Sequence, residues 1–294
     1  MNSAFHRIYF FLKVGWLLAT GKKVTASTIT DDYNALARMY DESFSVYMAP
    51  HARHLVQKLP LSSGGALNAL DLACGTGTLT QPLSERLAAA GVLTAVDLSE
   101  KMVEQAKKKL PRAVIFRMED MMRFLLQEKA SSYDAVTCGW AIGYSRPQSL
   151  IKEIHRVLTP GGAVGIIENR QNTLFEIRET AMKVMMRYPQ HIRRMMDLTL
   201  RLPRDKDHLS LWFRKAGLKV KEIWDGQIEF CFKNGVDVLN WVLHTGASAG
   251  FDRVMDPDAK YVCDLAFIQI MEKDYRRDGQ IKTAHRFVAG VAQK

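Results

Sequence analysis

A short glycine-rich turn is the first feature of this 294-residue chain that could do chemistry. It reads Asp71-Leu-Ala-Cys-Gly75-Thr-Gly77 and follows an apolar run that is typical of a buried strand. Glycines after such a strand let the backbone approach a ligand closely, and the N-terminus of the next helix favours an anionic group. The turn therefore predicts a nucleotide-like ligand. By itself it does not separate one nucleotide cofactor from another.

Three acids and one threonine narrow the choice of cofactor. Thr80 stands where a nicotinamide-dinucleotide fingerprint requires Gly or Ala for helix–strand packing. Asp71 precedes the turn, where its charge suits an ammonium or sulfonium group. Asp97 ends the second strand and can accept hydrogen bonds from ribose hydroxyls, and Asp120 ends the third, where it could accept one from an adenine amino group. Capping of the turns at those strand ends is the alternative role for Asp97 and Asp120.

Apolar strands alternate with helical patterns around these residues, which indicates βαβ units. We predict an α/β fold: a Rossmann-like, mostly parallel seven-stranded sheet with helices on both faces and a helical lid. The first five strands are predicted at about 68–73, 92–97, 113–117, 133–139 and 162–168. Two further strands form a predicted hairpin about Asp225-Gly226, and Ile281 to Ala292 could form a last strand.

The domain organisation is predicted from where this alternation begins and stops. Residues 1–60 are expected to be N-terminal helices that cover the active site or contact a membrane. Residues 61–294 are expected to form the main domain, with the helical lid inserted at about 171–205.

Five segments resemble the successive motifs of class I S-adenosylmethionine-dependent methyltransferases. They read LDLACGTGTLT, TAVDLSEKMVEQA, RMEDM, YDAVTCGWAIGY and RVLTPGG, in the family's order and at its usual spacing across residues 68–168. The chain is most similar to small-molecule members, such as those of ubiquinone and menaquinone biosynthesis. The resemblance implies S-adenosylmethionine as the cofactor and residues 61–294 as a class I methyltransferase domain. The lid and the first 25 residues match none of these motifs.

The resemblance also implies roles for individual residues in binding the cofactor. It places the methionine moiety at Gly75 and Gly77, the ribose at Asp97, and the adenine against Leu98 or Met102. It further implies that Asp120 and Met121 contact the adenine edge. Gly139 and Trp140 would lie beside the transferring methyl group, and Tyr40 would contact the cofactor carboxylate.

Methyl transfer needs little from a catalytic residue, because the sulfonium carbon is already electrophilic and the enzyme mainly aligns it with the acceptor. A base is required only if the acceptor must lose a proton. Glu168, at the predicted end of the fifth strand, is the candidate, with a salt bridge to Arg170 or to a lid arginine as its alternative role. Tyr144 could line the acceptor pocket. No cysteine or histidine spacing predicts a metal site.

The net charge of +10 is concentrated in two regions. Residues 1–30 carry four Lys/Arg and no acid, and residues 171–223 carry twelve Lys/Arg against six Asp/Glu. Such regions suit a phosphorylated substrate, an anionic membrane or nucleic acid, or they are simply solvated faces. The apolar stretch within residues 1–24 is too short to span a membrane. It is expected either to lie in a membrane interface or to pack over the active site or a partner subunit, as in a homodimer.

Four scattered cysteines predict a reduced, cytoplasmic protein, membrane-associated if the N-terminal stretch binds lipid. Methionine side chains make adaptable apolar walls, and those of the lid favour a large hydrophobic acceptor over a sugar or a free amino acid, although they could equally fill the lid's own core. Together with the basic lid and the aromatic N-terminus, they favour a small-molecule acceptor that is lipid-like, prenylated or polyketide-like. An RNA or protein methyltransferase is the alternative. The missing RNA-binding appendage and Cys138-Gly-Trp-Ala after the fourth strand, in place of an amino-methylation signature, argue against it. A non-catalytic, cofactor-binding subunit is the third hypothesis.

Overall fold

The computed structural model describes residues 3–24, 26–61, 67–87, 91–110, 113–196, 201–245 and 253–294. The α-helices are α1 (Ser3–Ala19), α2 (Ala26–Leu36), α3 (Val46–Lys58), α4 (Thr80–Arg86), α5 (Glu100–Lys109), α6 (Met121–Gln127), α7 (Pro147–Val157), α8 (Phe175–Arg187), α9 (Lys206–Lys215), α10 (Gly235–His244) and α11 (Lys260–Ile270). The strands are β1 (Lys23–Val24), β2 (Asn68–Leu72), β3 (Val92–Asp97), β4 (Val114–Met118), β5 (Tyr133–Gly139), β6 (Leu158–Asn169), β7 (Met195–Met196), β8 (Lys219–Phe232), β9 (Arg276–Arg277) and β10 (Gln280–Gln293).

The main sheet has the order β4-β3-β2-β5-β6-β10-β8, and the two-residue β9 pairs with β10. Strands β2 to β6 are parallel to their neighbours, whereas β10 runs antiparallel to β6. The chain order reverses at β2, from which β3 and β4 extend one way and β5 and β6 the other. The predicted Rossmann-like α/β fold is confirmed. Its carboxyl edge at this reversal is where such folds bind ligands.

The chain divides into two compact units. The first, here called the sheet unit, comprises residues 40–173, 200–227 and 286–294. Its core is a buried aliphatic cluster to which β2, β5, β6, α7 and α9 all contribute. Helix α7 illustrates the local cause, because Pro147 occupies its first turn and Leu150, Ile151 and Ile154 recur along its buried face.

The second, here called the helical unit, comprises residues 1–39, 174–199 and 228–285. Two buried clusters hold it together, one around α10 and α11 and the other around Phe10 and Leu17 of α1. These limits differ from the expected boundary near residue 60 and from a lid confined to about 171–205. The expected role of residues 1–60, over an active site or on a membrane, stays a prediction.

The predicted hairpin about Asp225-Gly226 is wrong, because both residues lie inside the continuous strand β8. Gly226 allows close packing and does not form a turn. A Cβ at this position would lie 2.2 Å from Cζ of the buried Phe287. A glycine within a strand is typical of such close approaches as well as of turns, and the sequence pattern does not distinguish them.

Two roles were open for the lid methionines: an apolar wall for the acceptor, or the filling of the lid's own core. Met185 is buried in the α1 cluster, and Met186 and Met195 pack against it. These three fill the helical unit's own core and give no evidence about the acceptor, whereas Met182 is 39% exposed. Within the described part of the chain, no helix has the length and apolar character needed to cross a membrane.

Candidate cofactor site

The glycine-rich turn leaves the end of β2 in a conformation that favours glycine. Gly75 and Gly77 have φ angles of 53° and 94°, and Ala73 before them has 54°. A Cβ at Gly75 would meet no atom within 4 Å, whereas one at Gly77 would lie 2.8 Å from the Leu110 Cδ1 atom. Gly75 therefore combines a left-handed backbone with open space, as close approach of a ligand to the main chain requires.

Asp71 lies buried beneath this turn. Its Oδ2 accepts a hydrogen bond from the Thr80 hydroxyl at 2.6 Å, and its Oδ1 accepts one from the Thr137 hydroxyl at 2.7 Å. Burial raises the pKa of Asp71 to about 7, and the two hydroxyl bonds oppose the rise. Thr80, noted in the sequence only as a departure from the nicotinamide fingerprint, thus anchors the carboxyl group that precedes the turn.

Asp97 joins the end of β3 to the turn. Its Oδ2 accepts the Gly75 N–H at 2.7 Å and its Oδ1 accepts the Ser99 N–H at 2.8 Å. Burial raises the pKa of Asp97, opposed by these backbone N–H groups. The Ser99 hydroxyl in turn caps α5 by accepting from Met102 N at 3.2 Å. The turn-capping alternative is therefore present, and the same carboxylate lies at the edge where a ribose is expected.

The predicted adenine contacts differ in exposure. Leu98 is half exposed, whereas Met102 and Met121 are buried. Asp120 caps α6, because its Oδ1 accepts from Met122 N at 3.0 Å and from Arg123 N at 2.9 Å. Both bonds use one carboxylate oxygen. Capping is thus the observed role of Asp120, and its contact with adenine stays a prediction.

A π-helical turn at Asp41–Ser45 contacts the glycine-rich turn through side chains. Asp41 accepts hydrogen bonds from the Thr76 hydroxyl and from Lys109 Nζ, both at 2.5 Å. The Thr78 hydroxyl donates to Ser45 Oγ at 3.3 Å. The sequence does not predict these contacts, because neither spacing nor residue type distinguishes Asp41 and Ser45 from other polar helix residues. Single π turns frequently mark functional sites.

Tyr40 immediately precedes this π turn. Its ring centroid lies 5.3 Å from that of Phe44. Burial is the main cause of a raised pKa for Tyr40, with contributions from Tyr144, Asp97 and Asp41. The phenol therefore stays neutral and is a hydrogen-bond donor at neutral pH. This suits the predicted contact with a carboxylate, which stays a prediction.

Trp140 follows β5 in a strained backbone conformation. Its φ is 52°, which is unusual for a bulky residue and costs on the order of 1–3 kcal/mol. Its backbone N–H donates to the Ile167 carbonyl at 2.7 Å, and its ring meets the edge of Phe44. The indole Nε1 is buried without a hydrogen-bond partner among the described residues. Gly139 beside it is small because a Cβ would lie 2.6 Å from Leu79 Cδ1.

Glu168 is buried near the end of β6. Its Oε2 accepts the Gly143 N–H at 3.0 Å and its Oε1 accepts the Asn169 N–H at 2.6 Å. Burial raises the pKa of Glu168 to about 7, and backbone N–H groups oppose the rise. The alternative salt bridge to Arg170 is absent, since Arg170 pairs with Asp225 at 3.6 Å. No ion pair among the described residues includes Glu168.

Tyr144 lies at the end of a short 3₁₀ turn, Ile142–Tyr144, and is 40% exposed. Glu168 binds the backbone of this turn, so the two predicted catalytic residues belong to one local structure. Over the described residues, no group of three or more His, Cys, Asp or Glu side chains could hold a metal ion. The parallel strands thus bring Asp71, Asp97, Trp140 and Glu168 to one edge of the sheet.

A known protein family matches the segment that contains the strands of this edge. A family model described as "Methyltransferase domain" matches residues 69–162, from β2 to the start of β6. The demethylmenaquinone methyltransferase of Lactococcus lactis is 32% identical over 160 residues, which are 52% of this chain and 62% of that protein. Residues 69–162 therefore carry a methyltransferase domain. The cofactor of that domain family is S-adenosylmethionine. The residues fit it, since Gly75 faces open space and the Asp97 carboxylate lies beside the turn.

Solved structures share the fold of this chain well beyond the matched segment. The Haloferax volcanii partner of the Trm112 methyltransferase activator superposes with a TM-score of 0.54 at 19% identity, covering 90% of this chain and 98% of that one. The cyclase SpnF superposes with a TM-score of 0.50 at 18% identity, covering 84% and 81%. At such identities only the fold is shared. The chain spans about three fifths of the length of the Lactococcus lactis relative that it matches.

Proposed function

We propose that the chain transfers the methyl group of S-adenosylmethionine to a small lipophilic acceptor. The similarity to demethylmenaquinone methyltransferases, which covers about half of this chain, carries this proposal. A quinol-like aromatic acceptor is the chemical class that those relatives' names suggest. The methyltransferase domain with its Asp97-bound turn supports the cofactor half of the reaction.

The bound cofactor would supply an electrophilic methyl group on a sulfonium centre. Gly75 and Gly77 would approach its methionine moiety, Tyr40 its carboxylate, and Asp97 its ribose hydroxyls. Leu98, Asp120 and the Met121 amide would contact the adenine. Asp71 would attract the sulfonium group in its ionised form, which with a pKa of about 7 is about half of the molecules at neutral pH.

The acceptor would bind beyond the strand ends, next to Gly139, Trp140 and Tyr144. The unpartnered Nε1 of Trp140 is a donor for an acceptor oxygen. Glu168, with a pKa of about 7, is poised to take a proton at neutral pH. It also fixes the Ile142–Tyr144 turn through its bonds to backbone N–H groups, so its substitution would disturb Tyr144 as well.

A labelling assay tests the proposal. The chain is incubated with S-adenosylmethionine labelled on its methyl group and either a reduced demethylated naphthoquinone or a polar amine. We expect label in the naphthoquinol only, and loss of labelling in Asp97→Ala. Absence of cofactor binding by the wild type in calorimetry would overturn the proposal. Cofactor binding with labelled RNA or protein, or with no acceptor labelled, would favour the two competing hypotheses.

Glu168→Gln distinguishes a role of Glu168 as a base from its role in positioning the Ile142–Tyr144 turn. Loss of the base lowers kcat and removes the rise in rate near pH 7, whereas loss of positioning raises the acceptor KM. Tyr144→Phe should raise the KM for the acceptor while the affinity for the cofactor is unchanged.

We also propose that residues 1–24 bring the chain to a membrane surface, where lipophilic acceptors partition. The protein would then be a cytoplasmic enzyme with peripheral membrane association. The exposed apolar side chains of α1 support this localisation.

A further inference from the structure

Helix α1 is apolar on both of its faces. Its inner face is buried in the helical unit, where Phe10 and Leu17 belong to the same cluster as Met185, Ile192 and Val254. Val14 packs against that cluster. This half of the helix therefore has its partner within the chain.

The outer face is equally apolar and exposed. Its large side chains are Ile8 (60% exposed), Phe11 (67%), Leu12 (67%), Trp16 (47%) and Leu18 (46%). Residues three and four apart share a helix face, and these positions form one broad stripe. A helix that is apolar all round belongs in apolar surroundings on every side. A contiguous exposed stripe of this kind marks an interaction surface.

Cationic side chains border this stripe. Lys13 Nζ and Lys22 Nζ lie 5.0 Å and 4.4 Å from the centre of the Trp16 ring. Strand β1 pairs in parallel with β7 and sets Lys23 opposite Met195, so the exposed Arg194 joins the same end of the helix. The fold thereby brings a cation from the second basic region next to the first.

This border has few compensating acids. Residues 1–30 contain none. Among the described ion pairs, none involves Lys13, Lys22 or Arg194. An apolar stripe edged by Lys and Arg is the pattern of a helix that lies in the interface of an anionic bilayer.

We propose that the outer face of α1, bordered by Lys13, Lys22 and Arg194, docks on an anionic phospholipid surface. The inference rests on the proposed membrane contact of residues 1–24 and assigns its face and its lipid chemistry. The cationic border of this face argues against a second copy of the chain as its partner. A two-fold dimer through this face would bring cationic borders together, whereas anionic headgroups complement them and the acyl boundary takes the apolar side chains.

Vesicle flotation of the full chain tests the proposal. Neutral phosphatidylcholine vesicles are compared with vesicles containing about one third phosphatidylglycerol, at low and at high salt. We expect binding to the anionic vesicles and weaker binding in 0.5 M salt, because the headgroup attraction is screened. Phe11→Ser with Leu12→Ser should weaken binding on the order of tenfold or more, since two large apolar side chains no longer enter the acyl boundary.

Matched variants control for nonspecific effects. Tyr261→Ser with Val262→Ser removes two exposed apolar side chains of α11 in the same unit and should leave binding unchanged. Lys13→Gln with Lys22→Gln should abolish the preference for anionic vesicles, and Lys233→Gln with Lys273→Gln, two exposed lysines elsewhere in the unit, should not. Thermal unfolding and calorimetric S-adenosylmethionine binding of every variant confirm that the chain is folded.

Three outcomes would overturn the proposal: no flotation of the wild type, equal flotation of the Phe11/Leu12 variant, or a lipid-free dimer that this variant abolishes. The last would assign the face to self-association. Cofactor binding and methyl transfer in detergent are measured on the same preparations. A failure of membrane docking with intact methyl transfer is therefore distinguishable from a failure of the proposed enzymatic function.

Discussion

At the scale of single residues, the cofactor edge depends on carboxyl groups that bind the protein's own backbone and hydroxyls. Asp97 accepts N–H bonds from Gly75 and Ser99, and Asp71 accepts hydroxyl bonds from Thr80 and Thr137. These bonds fix the turn in a conformation that can receive a ligand. The consequence is that substitutions here change binding through the shape of the turn as well as through direct contacts.

Asp97→Ala should weaken S-adenosylmethionine binding by on the order of 100-fold or more, because the bonds from the Gly75 N–H of the turn and from the Ser99 N–H are lost together with the proposed ribose contact. Isothermal titration calorimetry measures the effect. Asp134→Ala is the matched control, since Asp134 also accepts two bonds, from Asn68 N and the Thr159 hydroxyl. Asp134 lies at the N-terminal end of β5, away from the carboxyl edge of the sheet. If both variants bind the cofactor like the wild type, Asp97 has no role in the site.

Asp71→Asn should change the pH dependence of stability. The pKa of Asp71 is about 7 in the folded chain, above its unfolded value, so the folded state binds the extra proton and stability falls as pH rises towards 7. Relative to the wild type, the variant should gain stability with pH, on the order of 1 kcal/mol per pH unit between about pH 5 and 7. Urea unfolding at several pH values measures this. Parallel curves for the two proteins would contradict the raised pKa.

At the scale of elements, the π turn Asp41–Ser45 and the long strand β8 both depart from the predicted pattern. The π turn contacts the glycine-rich turn through Asp41 and Ser45. Strand β8 runs through a dipeptide, Asp225-Gly226, that favours a hairpin. In both cases contacts distant in sequence outweigh the local preference.

Thr76→Val should weaken cofactor binding about tenfold, because the isosteric change removes the hydroxyl bond to Asp41 and loosens the π turn over the site. Hydrogen exchange of residues 40–46 should increase in the same variant. Thr159→Val removes a comparable hydroxyl bond to Asp134 and should leave both measurements unchanged. Unaltered exchange in Thr76→Val would show that the π turn does not depend on this bond.

Gly226→Ala should destabilise the chain by about 1–3 kcal/mol, because the new Cβ overlaps the Phe287 ring and the core must shift. Denaturant unfolding measures the loss. Gln227→Ala, at the next and exposed position of β8, is expected to fall within about 0.5 kcal/mol of the wild type. Equal stability of the two variants would be inconsistent with the packing of β8 against Phe287.

At the scale of the whole molecule, every residue predicted to bind the cofactor belongs to the sheet unit. The helical unit contributes the exposed face of α1 and two cores of its own. The residues predicted to bind the cofactor and the face proposed to dock on a membrane thus belong to different units. This division makes the effects of a ligand on each unit separately measurable.

S-adenosylmethionine should slow hydrogen exchange in the sheet unit, at residues 40–45, 72–78 and 97–102, because binding stabilises the bound conformation. Helix α11 of the helical unit serves as the internal control and should show no protection. Mass spectrometry with and without cofactor, in the wild type and in Asp97→Ala, gives the comparison. Equal protection of α11 would place part of the cofactor site in the helical unit.

The sequence by itself determined the sheet, the cofactor turn and the carboxylates at the ends of β2, β3 and β6. These follow from short-range rules, since buried strands are apolar runs, turns need glycine, and parallel strands end at one edge. Tertiary structure alone decided that Glu168 binds backbone N–H groups, that Gly226 packs on Phe287, and that three of the lid methionines fill a core. Those outcomes depend on atoms far apart in the chain, whose proximity no local pattern encodes.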